Sequence, residues 1–336
     1  MDSLSQIALG SAVGLAVMGR RTAAWKAALA GAVFGTVPDL DSFISHGDAI
    51  RTMTFHRTES HSLYYLSIVS PLLAWLTVKV MGEAQLFLRW WLAVWLILIT
   101  HPLLDVMTIY GTQLALPFTN YPYGVGSIFI IDPLYTLPLL ICVIVALVRR
   151  NGAGLRWNAA GLILSTTYLA WSVAAQAHVT QIAQQSITQL GWSDEKILVT
   201  PTPFNTLLWR VVVILPEGYA EGFYGLLDES TQINFKQYQR GEQYFDFIEG
   251  DWEAERIAWF SHGFFKMHED NDQLLITDLR MGQEPYYAFN FVLAERYEEQ
   301  WGKVPPEQIQ TNPEAGPAFK WLWRRMRGEV IDPPWH

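Results

Sequence analysis

Four polar motifs interrupt the otherwise apolar first half of this chain. They are Pro-Asp-Leu-Asp at 38–41, His-Arg-Thr-Glu-Ser-His-Ser at 56–62, His-Pro-Leu-Leu-Asp at 101–105, and Asp132 ahead of Pro133. Imidazole and carboxylate together suit zinc or manganese better than calcium. Carboxylates gathered without a cation repel one another and take up protons. A divalent metal removes that conflict and makes hydroxide available near neutral pH, so the chemistry such a set points to is hydrolysis. Asp41, His61, His101 and Asp105 are the expected ligands, with His56 and Asp39 completing a second metal or supporting the first. Asp39 or Glu59 is the expected general base. Arg57 is the one cation inside the motifs and suits an anionic group such as a phosphate, or else the lipid headgroup layer.

Each motif alone has a plainer reading. His101 and Asp105, at i and i+4, share a helix face and can simply hydrogen-bond to each other. Pro-Asp-Leu-Asp can be an Asx turn, the 56–62 motif a capped helix start, and Asp132 an N-cap before an N1 proline. Convergence of all four on one side of a membrane favours the metal site.

That convergence depends on the elements that carry the motifs. Six apolar segments read as membrane helices: Ser3–Gly19, Trp25–Val37, Ser62–Met81, Leu88–Tyr110, Asp132–Val148 and Trp157–Ala177. The N-terminus lacks the basic start of a signal peptide and reads as a retained helix. Basic residues stay cytoplasmic in short loops. Arg20, Arg21 and Lys26, then Lys79 and Arg89, then Arg149, Arg150 and Arg156 fall in alternate connections and define one inner face. All four motifs then lie on the outer side, with both termini outside. Lys26 to Asp39 is 13 residues and Arg89 to His101 is 12, roughly 20 and 18 Å of helix. Asp39 and His101 therefore arrive at similar depth, still inside a hydrocarbon core about 30 Å thick.

Residues 1–180 hold 10 Lys/Arg and 8 Asp/Glu, whereas residues 181–336 hold 13 and 24. The sequence thus divides into a membrane helical domain, 1–180, and an acidic soluble domain, 181–336. The acidic half offers no basic stripe for nucleic acid. Cys142 is the single cysteine, so no disulfide forms within the chain, and it is read as a packing or lipid-facing residue. In the second half, 207–215, 218–227, 231–239, 273–280 and 286–294 read as strands, 251–264 and 317–327 as helices, 181–198 as a connecting helix and turn, and HEDNDQ (268–273) as a turn. The expected fold is a multi-pass α-helical membrane domain followed by a smaller α+β domain.

The motifs MDSLSQ…LG, PDLD, HRTESHS, HPLLDVMTIYGTQ and IFIIDPLYTLPLL, in this order, resemble the YdjM/YbcI-type family of inner-membrane metal-dependent hydrolases, also labelled LexA-binding. The resemblance covers residues 1 to about 180. It implies a bacterial inner-membrane location and a hydrolase using a divalent metal. Many members carry Thr-His where this chain has Ser5-Gln6, so it implies no histidine ligand from the first helix, and Thr58 stands where glycine is common. A site in the outer leaflet favours an ester or phosphoester of a membrane lipid or another amphiphile, with site and C-terminal domain facing the periplasm. The competing class is a proton- or ion-coupled transporter, or a scaffold, using the same buried His/Asp set. A third reading makes the membrane part an anchor for a working soluble half.

Overall fold

The computed structural model describes residues 1–149, 152–192, 196–298 and 300–335. Arg150 of the third basic cluster and residues 193–195 of the expected connecting turn lie outside the described residues. All six apolar segments are helical: α1 Ser3–Met18, α2 Ala24–Thr36, α4 Leu63–Met81, α5 Phe87–Val106, α6 Pro133–Arg149 and α7 Gly152–Gln189. A short helix, α3 Ala49–Phe55, was not expected. Among the described residues, two stretches are long and apolar enough to cross a membrane, Leu63–Met81 and Ala84–Val106, while Ser3–Met18 and Pro133–Arg149 are apolar but shorter.

The chain divides into two units. The first comprises residues 1–44, 57–173 and 203–205; the second comprises 45–56, 174–202 and 206–336. The division falls inside α7, between Val173 and Ala174, and it assigns 45–56 to the second unit.

In the first unit, α1 and α2 meet along a seam of glycines. A Cβ on Gly31 would lie 2.1 Å from the Gly10 carbonyl oxygen, and one on Gly35 would lie 2.6 Å from the Gln6 oxygen. Only glycine permits so close a backbone approach. The seam sets the end of α2 beside the start of α1. At the opposite end of α2, Lys26 Nζ meets Glu83 Oε1 at 2.9 Å, and Trp90 Nε1 donates to the other Glu83 oxygen at 2.9 Å. Between α4 and α5, Trp91 and Trp95 donate their indole N–H to Ser70 and Ser67. Pro71 cannot donate to the Ser67 carbonyl; the Ser70 hydroxyl does so instead, at 2.9 Å. Every polar group of these apolar stretches that lacks water needs such a partner.

In the second unit, β1 Lys196–Pro201, β2 Leu208–Ile214, β3 Tyr219–Gly225 and β4 Phe235–Tyr238 form an antiparallel sheet in sequence order. Val199, Trp209, Val211 and Val213 pack on Val179, Ala183 and Ile187 of the later part of α7. A second sheet has the order β10-β9-β6-β5, from β5 Phe265–Asp270, β6 Gln273–Asp278, β9 Asn290–Tyr297 and β10 Gln300–Ile309, and a small ribbon pairs β7 Gly282–Gln283 with β8 Tyr286–Tyr287. Helices α8 Trp252–Phe260 and α9 Ala315–Met326 complete the unit. Four of the six residues of the expected HEDNDQ turn are strand: His268–Asp270 belongs to β5 and Gln273 to β6, and only Asn271 and Asp272, both at positive φ, make the hairpin turn. Strand β1 begins within the last residues, 196–198, of the expected connecting helix and turn. Between the sheets, buried Arg210 on β2 pairs with Glu221 of β3 at 2.5 Å and donates to the Leu279 carbonyl at 2.7 Å and the Tyr287 hydroxyl at 3.1 Å.

Candidate metal centre

Asp39 lies in a 3₁₀ turn, Pro38–Phe43, that continues α2, and His61 in another, Glu59–His61, that leads into α4. His101 and Asp105 sit on successive turns of α5. One ligand atom from each of these four residues lies within 4.8 Å of all the others. The side chains of His61, His101 and Asp105 are fully buried, and that of Asp39 is 20% exposed. Asp39 Oδ1 lies 3.4 Å from His101 Nε2.

The hydrogen bonds behind the imidazoles fix which nitrogen faces inward. His101 Nδ1 donates to the Gly35 carbonyl at 2.7 Å. Ser60 Oγ donates to Asp41 Oδ2 at 2.5 Å, so at 2.9 Å it receives the proton of His61 Nδ1. Both rings then turn the Nε2 lone pair toward the same point, 3.2 Å apart. Asp105 Oδ1 is occupied by Arg57 Nη2 at 3.4 Å, by Gln6 Nε2 at 3.1 Å and by the Met1 amino group, while Oδ2 faces the histidines. Asp39 Oδ1 and Asp105 Oδ2 are buried and have no hydrogen-bond partner among the described residues.

Four lone-pair donors facing one another need a cation. Asp39 Oδ1 lies 3.4 Å from both Nε2 atoms, and Asp105 Oδ2 lies 3.2 and 3.3 Å from them. Together with the 3.2 Å separation of the imidazoles, five of the six edges of the group are known. A regular tetrahedron with zinc bonds of 2.0–2.1 Å has edges of about 3.3–3.4 Å. The residues fit the metal. A proton bridges two of the donors; a metal serves all four.

The sequence assigned roles to neighbours that the structure places elsewhere. Asp41 stands behind His61, its Oδ2 3.5 Å from Nδ1 and accepting from the Arg57 backbone N–H at 3.0 Å, and it is outside the group of four. Asp39 takes the place expected of Asp41. His56 ends α3, in the second unit, and is outside the group of four. Glu59 is exposed and is also outside it. Asp132 caps α6 by accepting from the backbone of Leu134 and Tyr135. Arg57 reaches the site by its contact with Asp105, with its backbone left-handed at φ 66°. Gln6 and the Gly35 carbonyl were not foreseen. Gln6 stands where the resembling family often has histidine, which was the one available signal.

The family model described as YdjM inner membrane protein matches residues 1–179, more than half of the chain. No curated protein and no solved structure matches it.

Proposed function

Because the chain belongs to the YdjM inner membrane protein family, we propose that its His/Asp cluster is the metal centre of a membrane-embedded hydrolase. The observation that supports this reading most is the set of five donor distances between 3.2 and 3.4 Å. Asp39, His61, His101 and Asp105 hold the metal, zinc before manganese because the spacing is tetrahedral. When bound, the metal would supply Lewis acidity and lower the pKa of its water to about 7. Four protein ligands alone make a closed structural site, whereas hydrolysis needs an open position. Asp39 is the one ligand whose side chain is partly exposed, so water and substrate reach the centre past it, and its second oxygen serves as the base. His101 and His61 are held in one tautomer by Gly35 and by Ser60 with Asp41. Asp105 keeps its charge under the donors on Oδ1.

In this reading six helices span the bacterial inner membrane, with both termini and the site on the periplasmic side, and the substrate is an ester or phosphoester of a lipid-like molecule. Metal content of the purified full chain tests it. Wild type should hold about one zinc per chain after a chelator wash, His101→Ala and Asp105→Ala should hold none, and Asp39→Asn should lose hydrolysis. A washed wild type without metal would refute the hydrolase and favour the proton relay.

A further inference from the structure

Arg57 is 3% exposed, yet its Nε and Nη1 have no acceptor among the described residues. Its remaining terminal nitrogen, Nη2, makes only the long contact to Asp105 Oδ1 at 3.4 Å, and its guanidinium lies over the Tyr110 ring, 4.8 Å from the centroid. A buried N–H left without an acceptor is costly, and more so on a charged group. Asp105 cannot supply the missing acceptors, since its Oδ1 already takes Gln6 and the Met1 amino group and its Oδ2 faces the histidines. The backbone is built to hold the side chain there. Arg57 sits at φ 66°, uncommon for a side chain of this size, and its N–H and C=O are tied to Asp41 and to the Gln113 N–H at 3.0 Å each. Such over-determined backbone is characteristic of ligand clamps.

We propose that Arg57 binds a phosphoryl group beside the metal, so that the substrate is a phosphoester rather than a carboxylic ester. This deepens the proposed hydrolase and rests on that reading for the metal's part. A guanidinium offers its donors in a planar fork that matches phosphate oxygens, and a carboxylic ester has no charge to match it. The phosphoryl oxygens supply the acceptors that Nε and Nη1 lack.

The test is equilibrium binding of inorganic phosphate to the detergent-solubilised full chain, wild type against Arg57→Gln and Arg57→Lys, with metal content measured on each sample. Phosphatidic acid in mixed micelles forms a second arm. Phosphate should bind wild type and weaken about tenfold or more in Arg57→Gln, as expected for loss of charge-assisted hydrogen bonds. Arg57→Lys should fall between them, and it serves alone if Arg57→Gln does not fold. Tighter binding of phosphatidic acid than of inorganic phosphate, lost in the same variants, would identify a lipid headgroup as the source; equal binding would point to a soluble phosphoester. Phosphate affinity unchanged by both substitutions, or no phosphate binding by wild type, would overturn the proposal whatever the metal content. Wild type without metal but with Arg57-dependent phosphate binding would refute the hydrolase and keep the anion site.

Discussion

Replacing Asp41 by Asn separates an orienting residue from a ligand. Asp41 Oδ2 accepts from Ser60 Oγ at 2.5 Å and from the Arg57 N–H at 3.0 Å. Ser60 in turn takes the proton of His61 Nδ1 at 2.9 Å. An amide at position 41 removes the charge that fixes this chain of donors, while the four inward-facing atoms keep their identities. Loss of such a supporting partner lowers metal affinity about 10–100-fold, or about 1.4–2.7 kcal/mol. Competition against a chromophoric chelator with purified protein measures it directly. His61→Ala, which removes a donor outright, should cost more in the same assay. Affinity within twofold of wild type would show that the Ser60–Asp41 chain does not hold the ring. A loss as large as that of His61→Ala would make Asp41 a ligand.

Gly31→Ala places a methyl 2.1 Å from the Gly10 carbonyl oxygen; it should destabilise the first unit by about 1–3 kcal/mol and lower metal loading by moving Gly35, read as thermal unfolding and zinc content together. Arg210→Met leaves Glu221 buried without its cation and should cost about 3–5 kcal/mol, whereas Arg210→Met with Glu221→Leu should recover most of it; equal losses in single and double variants would contradict this. Burial, aided by the Lys266 charge, lowers His268 from 6.5 to about 4. The unfolded chain then takes up this proton near pH 6.5 and the folded one near pH 4, so stability falls as pH drops across that window, by up to about 3 kcal/mol. His268→Asn should lose that part of the pH dependence in thermal unfolding curves.

The pairing of His101 with Asp105 was legible because helical periodicity alone sets it, and counting residues from Lys26 and Arg89 was enough to match Asp39 with His101. The choice between Asp39 and Asp41 was not. In a 3₁₀ turn of three residues, side chains two positions apart point about 120° away from each other, so only one of the pair can face the site, and nothing in Pro-Asp-Leu-Asp says which. His56 and His61 look equivalent in a linear motif, but the left-handed Arg57 between them turns the chain, and arginine gives no hint of that conformation. The Gly35 carbonyl is backbone and invisible to any search by residue type. In the second unit, β10 was missed because it contains Pro305 and Pro306, which an edge strand with a bulge tolerates. The turn at Asn271-Asp272 was expected within HEDNDQ, and only its bounds were too wide, because charged residues flank it on strands that end in solvent.

The glycine seam between α1 and α2 has a bearing on the metal centre that goes beyond close fit. Contacts between side chains can relax by rotamer hops, and each buried side chain loses conformational entropy when it is fixed. Where Gly10 meets Gly31 and Gln6 meets Gly35, the contact is backbone against backbone, with no rotamers to exchange. The end of α2 therefore has few soft modes through which to drift. His101 is hydrogen-bonded to that end through the Gly35 carbonyl, and Asp39 follows it directly in the chain. Two of the four donors thus take their positions from a joint that has almost nothing left to fluctuate.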